Sequence, residues 1–241
     1  MPEPILRLEG VETHIGPYHI LHGVGFDVPA GELTLLLGRN GAGKTTTLRT
    51  VMGLWQASAG RILFEGRDIS KSATPDIARA GIAYVPEAMG VLGQLTVREN
   101  LVLAARQGPI DTARLDWIFG LFPALKRFWS LPAGLLSGGQ KQMLAIARAI
   151  VEPRRLLLVD EPTKGLAPVM VRSMIDAFRA LKQAGETILL VEQNFHAASA
   201  LGDGVLVVDD GRVVHSGGMA ELIADPTLQQ RLLGLSLDAH Q

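Results

Sequence analysis

Eight residues restrict this chain more than any others. Gly38-Arg39-Asn40-Gly41-Ala42-Gly43-Lys44-Thr45 follows the apolar run Leu33 to Leu37 directly and opens a helical pattern in which Leu48, Val51 and Met52 share one face. A strand, a glycine-rich turn and a helix in that order make a cradle for phosphate. Small residues let successive backbone N–H groups close around phosphate oxygens, and the helix start adds its partial positive charge. In such a cradle Lys44 reaches the terminal phosphates and the Thr45 hydroxyl ligates Mg²⁺. The pattern predicts an α/β fold with a P-loop NTPase core, and Gly38, Arg39, Asn40, Gly41, Ala42, Gly43, Lys44, Thr45 and Thr46 as the nucleotide contacts.

The remaining sequence narrows the architecture. A length of 241 residues with 47% hydrophobic content suits one large α/β domain with a substantial core. Short apolar stretches from Ile5 to about Ile69, cut by Gly and Pro, read as an N-terminal antiparallel β region. Two capping boxes, Thr96 with Glu99 and Ser137 with Gln140, head helical runs between about 96 and 150, which read as a helical insert. Beyond it LLLVD, TILLVE and VLVVDD are buried strands, and Pro168 to Ala184 is a helix presenting Met170, Met174, Phe178 and Leu181 on one face. Strands alternating with helices give a parallel sheet. Asp210-Gly211 marks a hairpin turn, and short helices follow from Met219 around Pro226. The whole, 1–241, reads as one domain, with about 1–95 and 151–241 as core.

Composition excludes several classes. A formal net charge of -1 lacks the electrostatic footprint of a protein that binds nucleic acid or anionic lipid by itself. With no cysteine there is no disulfide framework, thiolate metal site or cysteine nucleophile. The start MPEPILRLEG does not read as a signal peptide, and the apolar runs are far shorter than the ~18 residues a membrane-spanning helix needs.

Two further segments carry chemistry. Leu156 to Glu161 is a buried strand ending in paired carboxylates, at the strand end where ligands of open α/β sheets bind. Alternation along a strand points successive residues opposite ways, which gives the two acids separate roles. Asp160 is the candidate Mg²⁺ holder, and Glu161 the candidate that orients the water attacking a γ-phosphate. Leu136-Ser137-Gly138-Gly139-Gln140 opens the helix of Met143, Leu144, Ala147 and Ile150. Its N-terminus with paired glycines is a second anion-binding start.

GRNGAGKT, LSGGQ and LLLVDEP, in this order and spacing, resemble the ATP-binding subunit of ABC transporters over essentially the whole chain. The resemblance implies ATP and Mg²⁺ as ligands. It also implies a head-to-tail pair of ATPase chains, in which Ser137, Gly138, Gly139 and Gln140 of one chain meet the nucleotide held by its partner's cradle. In the slot where that family carries glutamine after a strand, this sequence has Glu87, a further candidate Mg²⁺ ligand. At the switch position it has Gln193, a neutral amide able to hydrogen-bond the γ-phosphate without carrying a proton. Ala167 stands at the position that is often Asp, and His196 reads as an ordinary helix residue. The aromatic that stacks on adenine aligns with Ile15, and Tyr18 stands three residues later.

PE after the strand, GLAP after the acidic pair and VEQN at the switch are similar to the smaller ATPase of branched-chain amino acid importers and relatives carrying urea or amides. Lys164 and the segment EAMGVLG depart from that branch. The branch implies a second, non-identical ATPase subunit, two transmembrane permeases and, indirectly, a periplasmic solute-binding protein. The chain would then lie on the cytoplasmic face of the inner membrane, held peripherally by permease contacts. Trp117, Phe119, Phe122, Phe128 and Trp129 lie in the insert, five of twelve aromatics, and read either as permease contact or as the insert's own core. Phe64, Phe178 and Phe195 read as core. Two alternatives stand beside the importer: a non-transport ABC ATPase and a weakly catalytic nucleotide-binding regulatory module.

Overall fold

The computed structural model describes residues 3–106 and 108–234. Two sheets organise it. The first is antiparallel in the order β2-β1-β4-β5, built from β1 (Leu6–Ile15), β2 (Tyr18–Val28), β4 (Ala57–Phe64) and β5 (Arg67–Asp68). The second has the order β10-β9-β3-β8-β7-β6, from β3 (Leu33–Leu37), β6 (Ile82–Val85), β7 (Leu156–Asp160), β8 (Ile188–Val191), β9 (Gly204–Asp209) and β10 (Arg212–Gly218). Its pairings are parallel except the β9–β10 hairpin. That hairpin turns on Asp210 and Gly211 at φ 44 and 68, the left-handed pair that a tight two-residue loop requires.

The central strands are almost wholly apolar because both faces of the second sheet are covered; Thr34 and Asp160 are the buried polar exceptions in β3 and β7. Leu33, Leu35 and Leu37 join a core shared with the helices on one side, while Leu36 joins the core between the two sheets. Leu157 with Val159, and Leu156 with Leu158, divide in the same way. Helix α1 (Lys44–Val51) packs Leu48 and Val51 into the inter-sheet core, and α2 (Thr74–Ala80) contributes Ile77.

The insert comprises α3 (Val97–Ala104), α4 (Thr112–Leu121), α5 (Pro123–Arg127), a 3₁₀ turn at Ala133–Leu135 and α6 (Gly138–Ile150). Both capping boxes are formed. Thr96 Oγ1 accepts from Glu99 N at 3.1 Å and Glu99 Oε2 from Thr96 N at 2.8 Å; Ser137 Oγ accepts from Gln140 N at 3.4 Å and Gln140 Oε1 from Ser137 N at 2.9 Å. Val97, Leu101, Ile118, Phe122 and Leu125 lie in the same hydrophobic cluster as Leu190 and Phe178, so apolar packing runs unbroken from insert to sheet. Buried Asn100 ties the insert to the loop before it, accepting from Leu92 N at 3.0 Å and donating to the Leu92 carbonyl at 2.9 Å.

The C-terminal part adds α7 (Pro168–Gln183), α8 (Phe195–Leu201), α9 (Met219–Ala224) and α10 (Pro226–Leu233). Met174, Phe178 and Leu181 of α7 are fully buried, and Met170 is partly so. Among the described residues no helix is long and apolar enough to cross a membrane.

Candidate functional site

The cradle begins where β3 ends. Gly38 has φ 146, and a Cβ added there would lie 2.1 Å from the Val208 carbonyl oxygen of β9, so no larger residue fits. Gly43, at φ 105, precedes the first residue of α1. Lys44 is 4% exposed and folds back over the loop, donating to the carbonyls of Gly38 and Arg39, both at 2.9 Å. Burial lowers its pKa, and the charges of Glu161 and Asp160 oppose that shift.

Asp160 closes β7 and is fully buried. Its Oδ1 accepts from Thr45 Oγ1 at 3.1 Å and its Oδ2 from the Tyr84 hydroxyl at 3.3 Å. Burial raises the Asp160 pKa and, together with the Asp160 charge, pushes the Tyr84 phenol up to about 12. Thr45 and Asp160, far apart in sequence, thus form one oxygen-rich corner suited to a hard divalent cation.

Glu161 lies one residue past β7 at φ 48, a left-handed backbone uncommon for a side chain of this kind. Its direction is set by this turn and not by strand alternation, which corrects the reason given above for separating the two acids. Its Oε1 accepts from Gln193 Nε2. Its Oε2 is buried without a hydrogen-bond partner; Lys164 Nζ lies 3.1 Å away, an ion-pair distance without hydrogen-bond alignment. That oxygen is ion-paired with Lys164 but takes no aligned hydrogen bond among the described residues, so it retains capacity to accept one from outside.

Glu87 is half-exposed, and its Oε1 accepts from Lys164 Nζ at 2.7 Å. Bonding to Glu87 first, and then to Glu161, holds the Lys164 ammonium up to about 12. A cavity of about 350 Å³ gathers Asn40, Gly41, Gly43, Lys44, Thr45 and Thr46 with Glu87, Glu161, Gln193, Ile20 and Lys164. The arrangement offers backbone N–H groups and Lys44 for phosphate, an oxygen corner for metal, and a carboxylate for water. The donor set fits a nucleoside triphosphate with Mg²⁺.

Some contributors carried no sequence signal. Lys164 reaches the cavity through a turn in which its N–H donates to the Glu161 carbonyl at 3.2 Å. Glu192, buried with a pKa raised by burial, accepts from Thr163 N at 3.1 Å, Gln193 N at 3.1 Å and Asn194 N at 3.2 Å, bracketing the Glu161 and Gln193 loops. The run VEQN offered the one available clue to it.

The second anion-binding start stands apart. None of Ser137, Gly138, Gly139 and Gln140 lines the phosphate cavity. Ser137 and Gly138 are exposed; Gly139 is buried, and a Cβ there would come 2.5 Å from the Met170 methyl. Ile15 and Tyr18 face each other across the tip of the β1–β2 hairpin, and Tyr18 is 69% exposed. Phe195, read above as core, is only partly buried and lines a separate cavity with Gly38, Arg39, Asn40 and Leu233. Phe122 is fully buried and the other four insert aromatics pack against the core, Phe119 and Trp129 edge to face at 5.3 Å. None of the five lines the groove beside Pro86 and Met89.

Fold and cradle define a P-loop nucleotide-binding protein. The sequence pattern of the ABC transporter family matches residues 21–164, and the chain belongs to that family as an ATP-hydrolysing cassette. It is 39% identical to the high-affinity branched-chain amino acid transport ATP-binding protein BraG of Pseudomonas aeruginosa, over 95% of this chain and all of that protein. It is 35% identical to an Archaeoglobus fulgidus protein named "probable branched-chain amino acid transport ATP-binding protein LivF", over 96% of this chain and 99% of the other. Among solved structures, the ADP conformation of MJ1267, an ATP-binding cassette of an ABC transporter, superposes with a TM-score of 0.80 at 27% identity, covering 96% of this chain and 99% of that one.

Proposed function

We propose that this chain is the ATP-hydrolysing subunit of an importer for branched-chain amino acids or a closely related small solute. One observation carries the chemistry: Lys44, Thr45, Glu161 and Gln193 line a single cavity, with Asp160 bonded to Thr45 at its floor. ATP is the substrate. The loop from Gly38 to Gly43 and the start of α1 at Lys44, Thr45 and Thr46 hold its phosphates, with Arg39, Asn40 and Ala42 shaping the loop. Thr45, Asp160 and Glu87 hold Mg²⁺, which when bound neutralises charge on the phosphates. Glu161 Oε2, with no hydrogen-bond partner in the chain, accepts from the attacking water, while Gln193 fixes the other oxygen of the carboxylate and remains in reach of the γ-phosphate.

The Ser137 to Gln140 segment, exposed at Ser137 and Gly138, completes the nucleotide site of a second ATPase chain in a head-to-tail pair. Supporting this, a Cβ at Gly138 would meet nothing within 4 Å, so packing within the chain does not demand a glycine there. The second chain is a non-identical ATPase subunit. Two transmembrane permeases hold the pair at the cytoplasmic face of the inner membrane, and a periplasmic solute-binding protein delivers the solute to them. Residues 96–150 act as the insert of a single 1–241 ATP-binding domain. The groove that takes a permease helix is the cavity of about 390 Å³ lined by Met52, Leu54 and Met89 together with Arg106, Arg148 and Arg154. A lining that mixes apolar and basic side chains suits a short amphipathic helix.

Membrane vesicles holding the assembled transporter test the reading. Leucine, isoleucine or valine uptake should require internal ATP and disappear in Lys44→Ala; uptake that survives Lys44→Ala would overturn it.

A further inference from the structure

Lys164 is a cation that the proposed chemistry leaves unused. Two phosphate-pocket lysines face each other across one cavity, and only Lys44 belongs to the cradle. The Lys164 ammonium lies 2.7 Å from Glu87 Oε1 and 3.1 Å from Glu161 Oε2, on segments 77 and 3 residues away in sequence. Its side chain is 54% exposed, so no packing requirement fixes it there. These two carboxylates are the ones a loaded site needs free, Glu87 toward the metal and Glu161 toward water. Without a compensating cation, Glu87, Glu161 and Asp160 would set three carboxylates around the cavity against Lys44 alone.

We infer that Lys164 is the internal counter-ion of the phosphate cavity: its ammonium bridges Glu87 and Glu161, and a divalent cation entering with ATP competes with it for Glu87. This rests on reading the cavity as an ATP and Mg²⁺ site. Lys164 then acts in opposite directions on two ligands. It competes with Mg²⁺ for carboxylate oxygens, and its positive charge attracts ATP when no metal is present.

Calorimetric titration of the full chain with ATP in excess EDTA, and with ATP in excess Mg²⁺, reads both effects. Lys164→Met should bind metal-free ATP roughly threefold more weakly and ATP with Mg²⁺ more tightly by a similar factor, and Lys164→Arg should restore the wild-type ratio. Equal shifts in both titrations, or no shift in either, overturn the inference while leaving the cavity reading intact. Wild-type binding that Lys44→Ala leaves undiminished removes the cavity reading, and the counter-ion with it.

Discussion

The starts of α1 and α6 both carry glycines ahead of a helix, yet their glycines answer to different neighbours. Gly38 and Gly43 take φ 146 and 105, and the Val208 carbonyl leaves Gly38 no room for a side chain. Neither Gly138 nor Gly139 has positive φ, Gly138 faces open space, and Gly139 only abuts the flexible end of Met170. At α1 the chain itself dictates the glycine at Gly38, and Lys44, Thr45, Glu161 and Gln193 line one cavity beside it. At α6 a good capping box starts the helix, but among the described residues nothing lies within 4 Å of where a Gly138 side chain would stand. On the proposed reading one end forms a half-site for nucleotide and the other a surface that serves a second chain.

Glycine replacements at the two ends should break this symmetry in opposite ways. Gly38→Ala forces a Cβ into the Val208 carbonyl at a left-handed backbone position. It should cost about 3 kcal/mol of stability and lose nucleotide binding, both visible in thermal melts with and without ATP. Gly138→Ala should leave the melt of the isolated chain within about 0.5 kcal/mol of wild type. In the assembled ATPase pair the same change should slow hydrolysis by about tenfold or more. An unaltered rate in the assembled pair would return Gly138 to the status of an ordinary capped helix start.

A smaller effect sharpens the contrast from the stability side. Burial raises the Asp160 pKa above its unfolded value, so keeping it ionised at neutral pH costs the fold stability. Asp160→Asn should melt a few degrees higher than wild type without nucleotide at pH 7. The gap should close as pH falls through the raised pKa, where the native wild-type carboxyl is protonated. An Asp160→Asn protein that melts lower at pH 7 would contradict that assignment of cost.

What was legible from sequence follows from how local each signal is. The strands Leu33 to Leu37 and Leu156 to Asp160, the cradle, both capping boxes and the Asp210-Gly211 hairpin depend on neighbours a few residues apart, and each formed where it was read. Helix α2 (Thr74–Ala80) escaped because its only buried side chain is Ile77, too little to give an apolar period. Contacts between distant segments left no local trace. Lys164 meeting Glu87, and the Tyr84 hydroxyl meeting Asp160, join residues 77 and 76 positions apart. The left-handed turn at Glu161 was equally hidden, since a glutamate gives no hint of positive φ. Phe195 looked like core by residue type; it packs against the main core, partly buried, and also lines the cavity beside the cradle.

The central claim is that Glu161, held on one oxygen by Gln193 and ion-paired to Lys164 without an aligned hydrogen bond on the other, handles the attacking water. Single-turnover and steady-state ATP hydrolysis by Glu161→Gln in the assembled transporter, beside ATP affinity measured on the same preparation, tests it most directly. The account predicts hydrolysis reduced by about 10²-fold or more with ATP affinity retained. Hydrolysis at the wild-type rate in Glu161→Gln would contradict it.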